Sequence, residues 1–247
     1  MGEAQPFLFE PGFNRAVKVR AGDDRLTSDA GVVLLRETDH RLGLIASLAA
    51  GMADPRDPGL TRYTLVELLR QRIFGMSHGW SAQDDMDGLA HDPAFRSAVW
   101  DRPGDRTLDE RLASQPTHSR LLDTLASNPQ NLEALRAALP DWIERGLRAS
   151  GPDRAVAAGT LDLDSLEWQV HGSQPGGKYN GHFGHTAYHP MVASFSVGGD
   201  HHHGRPGGRF ADGFVHAMLR PGNVPSDAGA VRFTRTAMKK CAGLQEC

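Results

Sequence analysis

Cysteine is nearly absent from this 247-residue chain: Cys241 and Cys247 are the only two. Both stand at the carboxyl end, so neither a disulfide framework nor a cysteine-built zinc site can organise the fold. Long hydrophobic runs are missing as well. The longest apolar stretch, residues 42–53, falls short of the ~20 residues a membrane helix needs, so no membrane partner is expected. No amino-terminal signal sequence is expected either, because Glu3, Gln5 and Glu10 interrupt the place where an apolar segment would stand. These absences predict a cytoplasmic protein. Aromatic residues make up only 7% of the chain, and lysine supplies four of its 27 basic residues. The remaining basic residues are arginine, which favours planar bidentate partners such as phosphate, although codon bias produces the same excess.

The net charge of -3 is unevenly distributed. Residues 1–170 carry 19 Lys+Arg against 26 Asp+Glu, giving -7, whereas residues 171–247 carry 8 against 4, giving +4. Eight of the twelve histidines also lie between His171 and His216. The carboxyl third is therefore the part of the chain suited to an anionic partner.

Apolar periodicity divides the chain similarly. Residues 16–20 alternate as a short strand. From Ser28 and Asp29 onward the spacing becomes helical, with helices predicted through Val32–Leu35, Leu42–Leu48 and residues 60–74, the last closed by Gly75. Asp92 followed by Pro93 reads as a helix start, and Thr107 to Glu110 has capping-box spacing. Residues 132–139 and 141–147 continue the pattern as two helices, with Pro140 restarting the second. Gly151, Pro152 and Asp153 then break it. The expected organisation is an N-terminal segment (1–25), a helical domain (26–150), a strand-rich domain (154–240) and a tail (241–247).

The second domain begins with a strand over residues 156–166, in which Asp162 and Asp164 share one face and Leu161 and Leu163 the other. A glycine- and histidine-rich loop, 172–189, precedes strands at 191–197 and 214–219. A type II turn is expected at Arg220-Pro221-Gly222-Asn223, then a helix capped by Ser226 and running through Val231, Thr234 and Met238. The predicted fold class is α plus α/β.

A carboxylate at the end of a first strand, followed by serine and a three-stranded meander, suits divalent-metal phosphoryl chemistry. Oxygen ligands on a rigid strand hold Mg²⁺, and paired ions about 4 Å apart activate water and stabilise a leaving oxygen. Taken alone, the two acids equally fit solvent-facing strand residues. Their setting narrows the choice. Leu161-Asp162-Leu163-Asp164-Ser165, Tyr179-Asn180-Gly181-His182, Tyr188-His189-Pro190 and Leu219-Arg220-Pro221-Gly222-Asn223 together resemble the DDE transposases of bacterial insertion sequences, DDE domain group 1. The resemblance starts at Leu26-Thr27-Ser28-Asp29-Ala30-Gly31 and fades near Ala237.

The resemblance implies an RNase H-like domain, represented here by its first half of three strands and a helix, and Mg-dependent DNA cleavage and strand transfer. Asp164, immediately before Ser165, takes the role of the first catalytic acid and metal ligand, with Asp162 a neighbouring metal-site acid. The expected partners are DNA at the terminal inverted repeats and a second protomer or a full-length transposase. After residue 240 no fourth strand bearing a second acid and no distal helix bearing a glutamate are evident, so the chain reads as truncated and inactive by itself. The alternative is a non-catalytic DNA-binding or oligomerising fragment that modulates a full-length transposase.

Arg232, Arg235 and Lys239 recur at helical spacing, and Arg205, Arg209 and Arg220 lie in preceding loops. All six are candidate DNA contacts, although a helix face bearing cations also fits simple solvation. Asn180 is expected to form a tight turn, and His182 to contact DNA or orient the first acid; a purely structural turn fits the same residues. His182, His185, His189 and the His201–His203 run suggest zinc, yet consecutive histidines on extended chain point in alternate directions, so a solvated loop is the preferred reading. Phe74, Trp80, Phe95 and Trp100 read as core residues, not as a base-stacking platform.

Overall fold

The computed structural model describes residues 9–18, 27, 29–101, 110–149, 159–197 and 211–245. The chain forms two compact units, residues 1–134 and 135–247. The sequence-predicted boundary at Gly151, Pro152 and Asp153 lies outside the described residues.

The first unit is helical: α1 (Val32–Leu42), α2 (Leu44–Gly51), α3 (Leu65–Ser77), α4 (Asp85–Leu89), α5 (Pro93–Val99), α6 (Gln115–Ala126) and the start of α7 (Pro129–Ala149). Gly43, with φ 64°, ends α1 in the left-handed conformation that glycine adopts without penalty. Thr64 and Glu67 cap α3 reciprocally, so the helix starts at Leu65 rather than Leu60. It also runs past Gly75, against expectation. A Cβ there would stand 3.1 Å from Leu89 and 3.2 Å from Met86, so Gly75 serves close packing with α4 instead of termination. Asp92 caps α5 as expected, accepting from the Phe95 amide at 2.8 Å.

Phe74, Phe95 and Trp100 are buried with Val32, Ile45 and Leu68, as expected of core residues. Trp80, also expected in the core, is instead exposed, and its indole donates to Asp29 at 2.8 Å. Charges are also buried, but they are matched. Arg70 contacts Asp39 at 2.9 Å and Asp101 at 2.7 Å, while Arg36 contacts Asp101 at 2.6 Å. Two guanidinium groups thus meet two carboxylates, which offsets their desolvation.

The expected strand at residues 16–20 does not appear over its described part. Asn14 accepts from the Ala16 and Val17 amides through its side chain and carbonyl respectively, folding the backbone into a turn. Thr107 of the expected capping box lies outside the described residues. The two helices predicted around Pro140 are one helix, α7, with the proline inside it.

The second unit contains the remainder of α7, then β1 (Gly159–Ser165), β2 (Trp168–Gln169), β3 (Lys178–Asn180), β4 (His185–Tyr188), β5 (Met191–Val197), β6 (Ala211–Met218) and α8 (Ala230–Gln245). β1, β5 and β6 form an antiparallel sheet in that order, with Leu161 opposite Phe195 and Asp164 opposite Val192. Met191, Ala193 and Phe195 of β5 and Val215 of β6 meet Ile143 and Leu147 of α7 and Phe233, Ala237 and Leu244 of α8 in one core. Cys241 joins that core, and burial pushes its thiol pKa up, which makes it inert.

Residues 172–189 depart from the expected loop. β2, β4 and β3 make a second antiparallel sheet, with Trp168 opposite Tyr188 and Tyr179 opposite Thr186. The glycines that suggested a loop serve its turns: Gly172, Gly176 and Gly184 all have positive φ. The architecture is therefore mixed α+β. No helix among the described residues is long and apolar enough to cross a membrane.

Candidate functional site

Ser165, the last residue of β1, is tied to the loop before α8. Its hydroxyl donates to the Ser226 carbonyl at 3.2 Å and accepts from Arg220 Nη2 at 2.9 Å. Arg220 is only 5% exposed. Its Nε donates to the His189 carbonyl at 2.8 Å, and its Nη1 reaches the carbonyls of Ala228 and Ser226 at 2.8 and 3.1 Å. The His189 amide returns a bond to the Arg220 carbonyl at 3.0 Å. One guanidinium thus joins the end of β1, the chain entering β5 and the loop leading to α8. Burial lowers the Arg220 pKa, Asp227 opposes that shift, and the group remains charged. Arg220 was expected at the DNA surface; with all three guanidinium nitrogens turned inward, it is a structural hub instead.

A second link starts at Asn180. Its side-chain oxygen accepts from the amides of His182 at 2.8 Å and Phe183 at 3.3 Å, forming the expected turn. Its amide group donates to the Gly222 carbonyl at 2.6 Å. Gly222 itself lies in a turn closed from Pro221 to Val224, without the positive φ that a type II turn would require. Glycine is needed there for another reason: a Cβ would collide with the Ala187 carbonyl and come within 2.5 Å of the Lys178 carbonyl. Ser226 does not cap α8. Its carbonyl serves Ser165 and Arg220, and α8 begins beyond Gly229.

These links surround a cleft of about 500 Å³ lined by Ser165, Tyr179, Asn180, His182, Phe183, His189, Asn223 and Ser226, among others. Residues far apart in sequence therefore share one wall. His182 is exposed, with its ring edge-on to Phe183. His189 is buried and places Nδ1 3.1 Å from the Val224 carbonyl, while its ring meets Phe183 edge-on.

A neighbouring cleft of about 470 Å³ is lined by Asp164, Ser165, Met191, Asp227, Ala230 and Thr234. Ser165 belongs to both clefts. Asp164 is exposed, and its Oδ1 accepts from the Ser165 amide at 2.7 Å. Asp162 is exposed as well. As alternate residues of one strand, the two acids lie roughly 7 Å apart along the same face. Among the described residues no group of three or more histidine, cysteine, aspartate or glutamate side chains converges as a metal site. Asp164 and Asp227 both line this cleft, and among the described residues no third such ligand joins them.

Arg232, Arg235 and Lys239 are exposed on α8, and their spacing places them on one face of the helix. Arg205, Arg209 and His201–His203 lie outside the described residues. His185 contacts Glu167 at 2.6 Å across the small sheet, instead of joining His182 and His189 in a metal cluster. Sequence reasoning missed the Arg220 hub and the presence of Asp227 beside Asp164. The available signal for the hub was the adjacency of Arg220 to a proline-glycine turn; the long-range Ser165 link had none.

A family model described as Transposase DDE domain group 1 matches residues 9–244. No curated protein and no solved structure matches the chain.

Proposed function

This chain belongs to the transposase DDE domain group 1 family, and on that premise we propose that its second unit processes the DNA ends of a mobile element. The observation that carries the reading is the meeting of Ser165, Asn180, His182, His189 and Asn223 around one cleft, with Asp164 beside it. The antiparallel order β1-β5-β6 followed by α8 supports assignment to the first half of an RNase H-like domain. In that assignment Asp164 is the first catalytic acid, Asp162 its neighbour and His182 a DNA contact. DDE transposase domains use a divalent metal; Mg²⁺ is the proposed ion, and Asp164 would supply one of its oxygen ligands.

Arg232, Arg235 and Lys239 give the DNA backbone a cationic helix face, and Arg205 and Arg209 remain candidate DNA contacts by sequence alone. The helical domain at residues 26–150 would recognise terminal inverted repeats or pair protomers, in a cytoplasmic setting. Electrophoretic mobility shift with the element's terminal inverted repeats tests this reading. Retarded complexes weakened by reversing the three α8 charges support it, and their absence at low salt rejects it.

One observation favours a second reading. Because no three metal-binding side chains converge among the described residues, the chain acting alone would bind DNA and modulate a full-length transposase without cutting. Complex formation without strand cleavage in Mg²⁺ or Mn²⁺ distinguishes this reading from the first.

A further inference from the structure

The cleft beside Ser165 contains a positioned hydrogen-bond acceptor that a duplex backbone cannot satisfy. His189 directs Nδ1 at the Val224 carbonyl, 3.1 Å away. A carbonyl only accepts, so that partner assigns the proton of the neutral ring to Nδ1 and leaves Nε2 an acceptor. Nε2 has no hydrogen bond among the described residues, and His189 lines the cleft wall. The ring is also held from several directions. Phe183 meets it edge-on at 5.6 Å, and its backbone exchanges hydrogen bonds with Arg220 in both directions. An imidazole fixed in this way is organised before any ligand arrives.

Phosphate and deoxyribose oxygens inside a DNA strand only accept hydrogen bonds; its donors are the N–H groups of the bases and the hydroxyls at strand ends. The remaining walls select between these donors. Tyr179 is 63% exposed and lines the same cleft, which it shares with Phe183 and with the polar side chains of Asn223 and Ser226. Aromatic rings, a fixed acceptor and an adjacent amide form a surface for a base, whose face stacks and whose edge donates. A base paired within duplex DNA cannot present both.

We propose that this cleft binds one unpaired nucleobase of the DNA substrate, with Tyr179 as the stacking surface and His189 Nε2 accepting from the base edge. This inference rests on the DNA-processing reading above and adds the feature of the DNA that the cleft recognises.

Fluorescence anisotropy at pH 8 tests it with three duplexes: fully paired, carrying one unpaired base, and carrying an abasic residue at the same position. The unpaired-base duplex is expected to bind about tenfold more tightly than the other two. His189→Asn retains an amide donor toward Val224 but lacks Nε2, and it should abolish this preference. Tyr179→Ala, at an exposed position, should reduce the preference even if the His189 variant fails to fold. A preference of wild-type protein no greater than twofold, equal preference in both variants, or equal binding of the abasic duplex overturns the proposal. A preference that disappears when the strand ends lack their 3′-hydroxyl, and not when the base is removed, also overturns it by identifying a strand end as the occupant. Paired binding without preference rejects only this inference; loss of all DNA binding rejects the underlying function as well.

Discussion

Arg220 donates to the Ser165 hydroxyl at 2.9 Å across 55 residues of sequence, joining the end of β1 to the turn before α8. Because the same guanidinium also serves the carbonyls of His189, Ser226 and Ala228, replacing it strands several acceptors at once. Arg220→Met should destabilise the second unit by about 3 kcal/mol, the scale expected for buried polar groups that lose charged partners. Urea unfolding followed by circular dichroism measures this. A loss below about 1 kcal/mol would show that the hub is dispensable.

Gly222→Ala tests the close approach of the turn to β4. The added methyl group meets the Ala187 and Lys178 carbonyls, so the turn must withdraw and break the Asn180 link to the Gly222 carbonyl. Destabilisation by at least about 2 kcal/mol is expected. If positive φ were the reason for glycine, Gly222→Asn would be tolerated; here it should be as damaging as alanine.

His118 in α6 is fully buried, and neither ring nitrogen has a hydrogen-bond partner. Burial, assisted by the positive charge of Arg72, lowers its pKa from 6.5 to about 4. The folded state therefore binds this proton less readily than the unfolded chain. Its contribution to stability is intact above pH 6.5 and declines as pH falls toward 4, by about 3 kcal/mol in all. His118→Leu should lose less stability than wild type over that interval, measured by urea unfolding at pH 7 and pH 4.5. Parallel losses in the two proteins would contradict the assignment.

The exposed α8 cations should act through counterion release. Reversing Arg232, Arg235 and Lys239 to glutamate should lower the slope of log affinity against log salt by about 3, as three phosphate contacts are lost. Anisotropy between 50 and 200 mM salt, the range used to expose such slopes, provides the check. An unchanged slope would place the DNA elsewhere.

Much of the second unit was legible because its strands carry strong local patterns. β5 occupies residues 191–197 as expected, and the alternation of Asp162 and Asp164 with two leucines identified β1. The small sheet was not legible. Its strands are short and separated by glycines, so local composition resembles a loop until β4 supplies partners for β2 and β3. Arg220 shows why side-chain roles were harder to read: an arginine beside a proline-glycine turn has the composition of a phosphate contact, and only long-range burial distinguishes it as an internal strut. Asn180 was readable as a turn former because that job is local, whereas its bond to Gly222 was not.

Hydrogen–deuterium exchange with and without terminal-repeat DNA tests most directly whether the converging segments form one DNA site. The account predicts that DNA slows exchange together in residues 163–167, 179–190, 219–226 and the exposed face of α8. Protection confined to the helical unit, with these segments exchanging at unchanged rates in a saturated complex, would contradict it.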